Sequence, residues 1–127
     1  MIWLLHGNLS AALGEALVRH RQEVRQYAQL ELPAGAAPMD IVKAVEKRQW
    51  DVITTDDALP AAVYARRYPF SRTIVYLQFV GGEVEQDDAI DRLFRRYKRL
   101  SPRRLYTLTA TRVKIRQLPA TRTMNDE

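Results

Sequence analysis

Residues 50–59 read WDVITTDDAL. Val52, Ile53, Thr54 and Thr55 are apolar or β-branched, the side chains that suit a pleated, packed surface, so the run predicts a strand over Trp50–Thr55. Asp56 and Asp57 follow at once, and Pro60 marks a helix start soon after. A buried strand that ends in two carboxylates and feeds a helix is one half of a βα unit. The acids admit two readings. A carboxylate at a helix start accepts backbone N–H bonds and faces the positive end of the helix dipole. The same carboxylate can instead hold a hard divalent cation.

The chain before this stretch supports an alternating fold. IWLL (2–5) is an unbroken apolar run, the pattern of a strand covered on both faces in a parallel sheet. His6, Gly7 and Asn8 break it, and Asn8 or Ser10 can cap a helix on which Leu9, Leu13, Ala16 and Leu17 recur at helical spacing. Val24 to Tyr27 fits a short second strand, and LELPAGAA (30–37) reads as a loop. Pro38 opens a second helix, lined by Ile41, Val42 and Val45, that runs to about Arg48.

After Asp57 the pattern continues. A short helix carrying Val63 ends before Pro69, and TIVYL (73–77) is a fourth strand. As part of TIVYLQFV (73–80) it suits the core, or an edge that pairs with a second copy in a homodimer. Gly81 and Gly82 turn the chain into a helix over 84–99, with Ile90, Leu93, Phe94 and Tyr97 as its apolar stripe. Glu85, Asp87, Asp88 and Asp91 stand in its first turns, and Arg95, Arg96, Lys98 and Arg99 at its end, as the macrodipole favours. Residues 104–109 and 112–117 read as two strands joined at Ala110-Thr111, and the polar tail after Pro119 is expected to be loose.

Strands alternating with helices imply an α/β domain with a central, mainly parallel sheet, helices on both faces and a short C-terminal β-extension. At 127 residues the chain is expected to form one domain over 1–119, followed by a flexible tail over 120–127. The chain has no cysteine, which excludes disulfides and thiolate metal sites. No apolar run approaches the ~18 residues of a membrane helix, and MIWLLHGN suits a strand better than a signal peptide. A cytoplasmic protein with no membrane partner is expected. The net charge of +5 favours an anionic partner, of which nucleic acid is the commonest.

In open α/β sheets, ligands bind beyond the carboxyl ends of the strands. His6-Gly7-Asn8 and Asp56-Asp57 are therefore expected to share one rim. A basic cluster, Arg92, Arg95, Arg96, Lys98, Arg99, Arg103 and Arg104, is the strongest charge feature of the chain. It reads either as a solvated face partly paired with the acidic turns, or as a phosphate-binding surface extended by Arg66 and Arg67 with Tyr97 as a stacking partner. His20, between Arg19 and Arg21, reads as a solvated residue at a helix end.

Two segments carry a resemblance. LLHGNLSAALGEAL (4–17) and DIVKAVEKRQWDVITTDDAL (40–59) resemble the two signatures of small bacterial PIN-like proteins of toxin–antitoxin type, and TIVYLQ and RVKIRQLP are similar to later family features. The resemblance covers about residues 1–119. It implies a PIN-like three-layer domain and an activity of metal-dependent RNA cleavage, in which strand-end carboxylates hold Mg²⁺ or Mn²⁺ and activate water. It also implies RNA as substrate and an antitoxin-like protein as partner. Carried over position by position, the acids are largely replaced. His6 stands for the first aspartate, Gly7 for the next acid, and Pro38 for the acid that opens the second helix, with Asp40 two residues on. Asp56 matches, Ala58 stands for the second aspartate, Leu59 replaces the aromatic, and Asp57 is an extra carboxylate. Two functional expectations result. One is a Mg²⁺- or Mn²⁺-dependent ribonuclease using Asp56, Asp40 and His6, with Asp57 as a further ligand. The other is a non-catalytic module that binds RNA or protein.

Overall fold

The computed structural model of the chain describes residues 1–78 and 81–120. Within them the elements run β1 (Ile2–His6), α1 (Ala11–Arg19), β2 (Glu23–Arg25), a 3₁₀ turn (Tyr27–Leu30), α2 (Pro38–Arg48), β3 (Asp51–Thr54), α3 (Ala58–Ala65), β4 (Ile74–Leu77), α4 (Glu83–Arg96), β5 (Arg104–Leu108) and β6 (Val113–Gln117). The strands form one sheet in the order β2-β1-β3-β4-β5-β6. The first five are parallel and β6 is antiparallel to β5. This is the α/β class, with a six-stranded, mostly parallel sheet between helices.

The apolar runs of the strands are explained by two cores, one on each face of the sheet. Trp3, Ile53, Val75, Leu77, Tyr106 and Leu108 face α1 and α4, where Leu13, Leu17, Ile90 and Leu93 meet them. Leu4, Val52, Ile74 and Leu105 face α2 and α3, against Ile41, Val42, Val45, Leu59, Val63 and Phe70. Adjacent strand residues thus enter opposite cores, which is why β1, β3 and β4 show no polar alternation.

Local signals set the helix starts. Ser10 Oγ accepts the Leu13 N–H at 3.2 Å at the start of α1. Pro38 occupies the first turn of α2. At α4, Glu85 Oε1 accepts the Gly82 N–H at 2.6 Å. At the opposite rim, Asp51 is fully buried at the start of β3. Its carboxylate accepts the Thr73 N–H at 2.9 Å and pairs with Arg72 at 3.1 Å, tying β3 to the entry of β4. Burial pushes this carboxyl above the usual carboxylate range despite both partners.

Three expectations are corrected. The TIVYL strand lies between β3 and β5, so its backbone is paired on both sides and it is no edge for a second copy. Among the described residues the outermost strands are β2 and β6. Helix α4 stops at Arg96, because Tyr97 turns extended (φ −123°, ψ 104°) and places its ring edge-on to Tyr106, 5.8 Å between centroids. Lys98 and Arg99 therefore lie outside it. β2 ends at Arg25, and Tyr27 opens the 3₁₀ turn instead. The expected tail falls, from residue 121 on, outside the described residues. No described helix is long and apolar enough to cross a membrane.

Candidate functional site

The chain runs from β1 outward to β2 and then returns past β1 to β3. The loops leaving β1 and β3 therefore diverge to opposite faces, α1 joining one core and α3 the other. Between them opens the crevice in which sheets of this winding bind ligands. Residue pairing sets His6 beside Thr54, so the imidazole and the TTDD turn stand on one rim.

Hydroxyl groups build this rim. Thr54, fully buried, takes the Asp56 N–H on its Oγ1 at 2.9 Å and meets His6 Nδ1 at 2.8 Å with the same atom. Thr55 Oγ1 accepts the Asn8 N–H at 2.9 Å, and the Thr55 N–H reaches the His6 carbonyl at 3.4 Å. The β1 and β3 loops are thus locked to one another by two threonines. Short hydroxyl-bearing side chains at a strand end capture nearby backbone N–H groups.

Asp56 bonds at the helix entry and also reaches the cleft. Its Oδ1 accepts the Ala58 N–H at 3.0 Å, a cap-like bond at the entry to α3. It also lines a cleft of about 500 Å³ together with His6, Gly7, Tyr27, Gly35 and Ile41. Asp57 makes no capping bond, although it precedes the first residue of α3. Both carboxylates lie close enough to Tyr76 to reinforce the effect of burial in raising its phenol pKa. Burial pushes the His6 imidazole below its ordinary value, and the nearby Asp56 charge opposes that shift.

Gly7 occupies a position where an acid does not fit. Its φ is +89°, and a Cβ built there would stand 2.3 Å from Thr55 Oγ1. The site therefore brings together His6 and Asp56 from the expected set. Asp40 is exposed in the first turn of α2 and does not line the cleft, and neither does Asp57. Among the described residues no group of three or more His, Asp or Glu side chains is arranged to hold a metal ion. One carboxylate and one imidazole are a sparse donor set for Mg²⁺ or Mn²⁺, which favour oxygen ligands.

The arginines lie elsewhere. Helices α3 and α4 run from the carboxyl ends of their strands back to the start of the next. Arg66 and Arg67 beyond α3, Arg95, Arg96 and Arg99 around the end of α4, and Arg103 and Arg104 at the start of β5 therefore gather toward the amino-terminal rim. This is the rim opposite the cleft. Among the described residues none of these seven guanidinium groups makes an ion pair or hydrogen bond. The acids of α4 are used otherwise: Asp87 and Asp91 pair with Arg19, and Asp91 Oδ1 lies 2.7 Å from His20 Nε2. Arg92 is the exception in the cluster, with its guanidinium bound to the carbonyls of Thr109 and Ala110 at 2.7 and 3.0 Å. His20 is not simply solvated, since its ring also stacks on Phe94 with centroids 5.2 Å apart. Tyr97, the expected stacking partner, has Arg96 over its ring at 5.5 Å.

Compared with known proteins, the chain matches no family model, no curated protein and no solved structure.

Proposed function

We propose that the chain is a PIN-like domain in which metal-dependent nuclease chemistry has been lost and which acts as an RNA-binding module through its arginine rim. The observation that carries this reading is the division of charge. The strand-end cleft contains one carboxylate of the expected set, whereas seven guanidinium groups at the other rim make no ion pair or hydrogen bond among the described residues. Guanidiniums without an ion pair among the described residues, on a chain of net charge +5, suit phosphate oxygens, which they bind as forked donors. The sequence resemblance supplies the fold expectation, and the missing acids supply the loss of catalysis.

The test has two arms. Fluorescence anisotropy with a single-stranded RNA measures binding by the whole protein and by an Arg95→Ala/Arg96→Ala/Arg99→Ala variant; affinity falls at least about tenfold in the variant. Cleavage of the same labelled RNA is followed with Mg²⁺ and with Mn²⁺. Equal background signal for the protein and for Asp56→Ala agrees with the reading. Metal-dependent cleavage that disappears in Asp56→Ala overturns it in favour of a ribonuclease.

A further inference from the structure

The cleft between β1 and β3 has a chemistry of its own, independent of the arginine rim. Its volume of about 500 Å³ falls within the range of small-molecule sites, about 300–1,000 Å³. Among the described residues no arginine or lysine lines it, and Asp56 is its only carboxylate. A ligand phosphate would meet an uncompensated negative charge there.

Hydrogen bonds hold part of the walls. The Tyr27 hydroxyl donates to the Pro33 carbonyl at 2.7 Å, which holds the ring in place. The His6 ring stands with its centroid 6.4 Å from that of Tyr27 and its plane tilted by 40°. Ala34, Gly35 and Ala36 leave the space beside them open. Thr54 bears on the His6 tautomer. That buried hydroxyl accepts the Asp56 N–H, and its own proton has one bonded acceptor among the described residues, His6 Nδ1. With that proton directed at Nδ1, Nε2 carries the hydrogen of the neutral ring. Asp56 uses Oδ1 on the Ala58 N–H, while Oδ2 makes no hydrogen bond among the described residues.

Among the described residues the cleft thus offers two aromatic walls, one of them the His6 imidazole, a carboxylate acceptor and no arginine or lysine. A carboxylate accepts only. Among the four RNA bases, guanine alone presents two adjacent N–H donors, at N1 and the 2-amino group, with the O6 acceptor beside them. Adenine and cytosine place an acceptor next to their amino donor, and uracil flanks its single N–H with two carbonyls. Each of these would aim lone pairs at Asp56. We propose that this cleft binds a phosphate-free guanine nucleoside, with the base along Tyr27 and His6 and its N1–H and 2-amino group on Asp56.

The experiment is a titration of the whole ¹⁵N-labelled protein followed by amide NMR shifts, with guanosine, inosine, adenosine, guanosine 5′-monophosphate and methylguanidinium as probes. Guanosine should give saturable shifts centred on Gly7, Gly35 and Asp56. Inosine, which lacks the 2-amino group, should bind about tenfold more weakly or less well still, and adenosine should not saturate. The monophosphate should bind no tighter than guanosine. Asp56→Asn keeps an acceptor for the Ala58 N–H and should weaken guanosine about tenfold or more, and Tyr27→Leu should weaken it by removing a wall. The spectra of the free variants report whether the fold is kept. Equal binding of guanosine and adenosine, unchanged affinity in Asp56→Asn, shifts centred elsewhere, or methylguanidinium binding as tightly as guanosine would each overturn the assignment. So would the absence of saturable shifts. The outcome does not depend on RNA binding at the other rim, so either reading can fail alone.

Discussion

Gly7 shows how one residue constrains the chemistry of a strand end. Its backbone lies at φ +89°, and the space where a Cβ would sit is taken by Thr55 Oγ1. Gly7→Ala therefore meets both backbone strain and a clash, and is expected to cost about 1–3 kcal/mol in urea unfolding. An unchanged midpoint would show that the β1 loop relaxes freely. His6 provides a pH test at the same scale. Burial holds its folded pKa below the ordinary value of about 6.5. Between those two values the unfolded chain binds more protons than the folded one. The stability that His6 contributes is then complete above about pH 6.5 and is lost as pH falls through the window below it. His6→Gln should lack this part of the stability–pH profile. In Asp56→Asn the opposing charge is gone, so the His6 ring should titrate at still lower pH by NMR; an upward move would contradict the placement of Asp56 beside it. From sequence, His6 and Asp56 were visible as strand-end residues because apolar runs stop at them. The locking roles of Thr54 and Thr55 were not, because a β-branched residue reads first as strand.

At the scale of elements, periodicity found nearly every strand and helix, and the exceptions have physical causes. The stripe of α4 continues through Tyr97, yet the helix ends at Arg96 because the Tyr97 ring gains an edge-on contact with Tyr106. The TIVYL run showed a strand but not its neighbours, since strand order depends on contacts distant in sequence. The tie between α4 and the β1–α1 loop was equally hidden. Gln86, nearly buried, accepts the Ser10 N–H at 2.8 Å and donates to the Asn8 carbonyl at 3.1 Å. A glutamine on an acidic helix face gives no sign of this. Gln86→Ala leaves a backbone donor and an acceptor without partners, so a loss of about 1–3 kcal/mol is expected in chemical denaturation. Faster amide exchange at Ser10 should accompany it, and its absence would show that water replaces the side chain at no cost.

For the whole molecule, the sheet places opposite chemistry on its two rims. The winding order puts the switch between β1 and β3 at the carboxyl ends, where Asp56 stands with no arginine or lysine beside it among the described cleft residues. The return of α3 and α4 carries their basic ends to the other rim, and, with Asp87 and Asp91 paired to Arg19, those arginines have no ion pair among the described residues. An RNA strand held there displaces counterions in proportion to its phosphate contacts. The slope of log affinity against log salt is about −0.7 for each contact to a single strand. Binding through three to five of the seven guanidiniums therefore predicts a slope between about −2 and −3.5, from anisotropy at several salt concentrations. Removing Arg95, Arg96 and Arg99 together should flatten that slope by about 2, whereas Asp56→Asn at the far rim should leave it unchanged. A slope near zero in the unaltered protein would mean that the arginines are merely solvated. A slope altered by Asp56→Asn would mean that RNA reaches across both rims, and the separation of the two surfaces would fail.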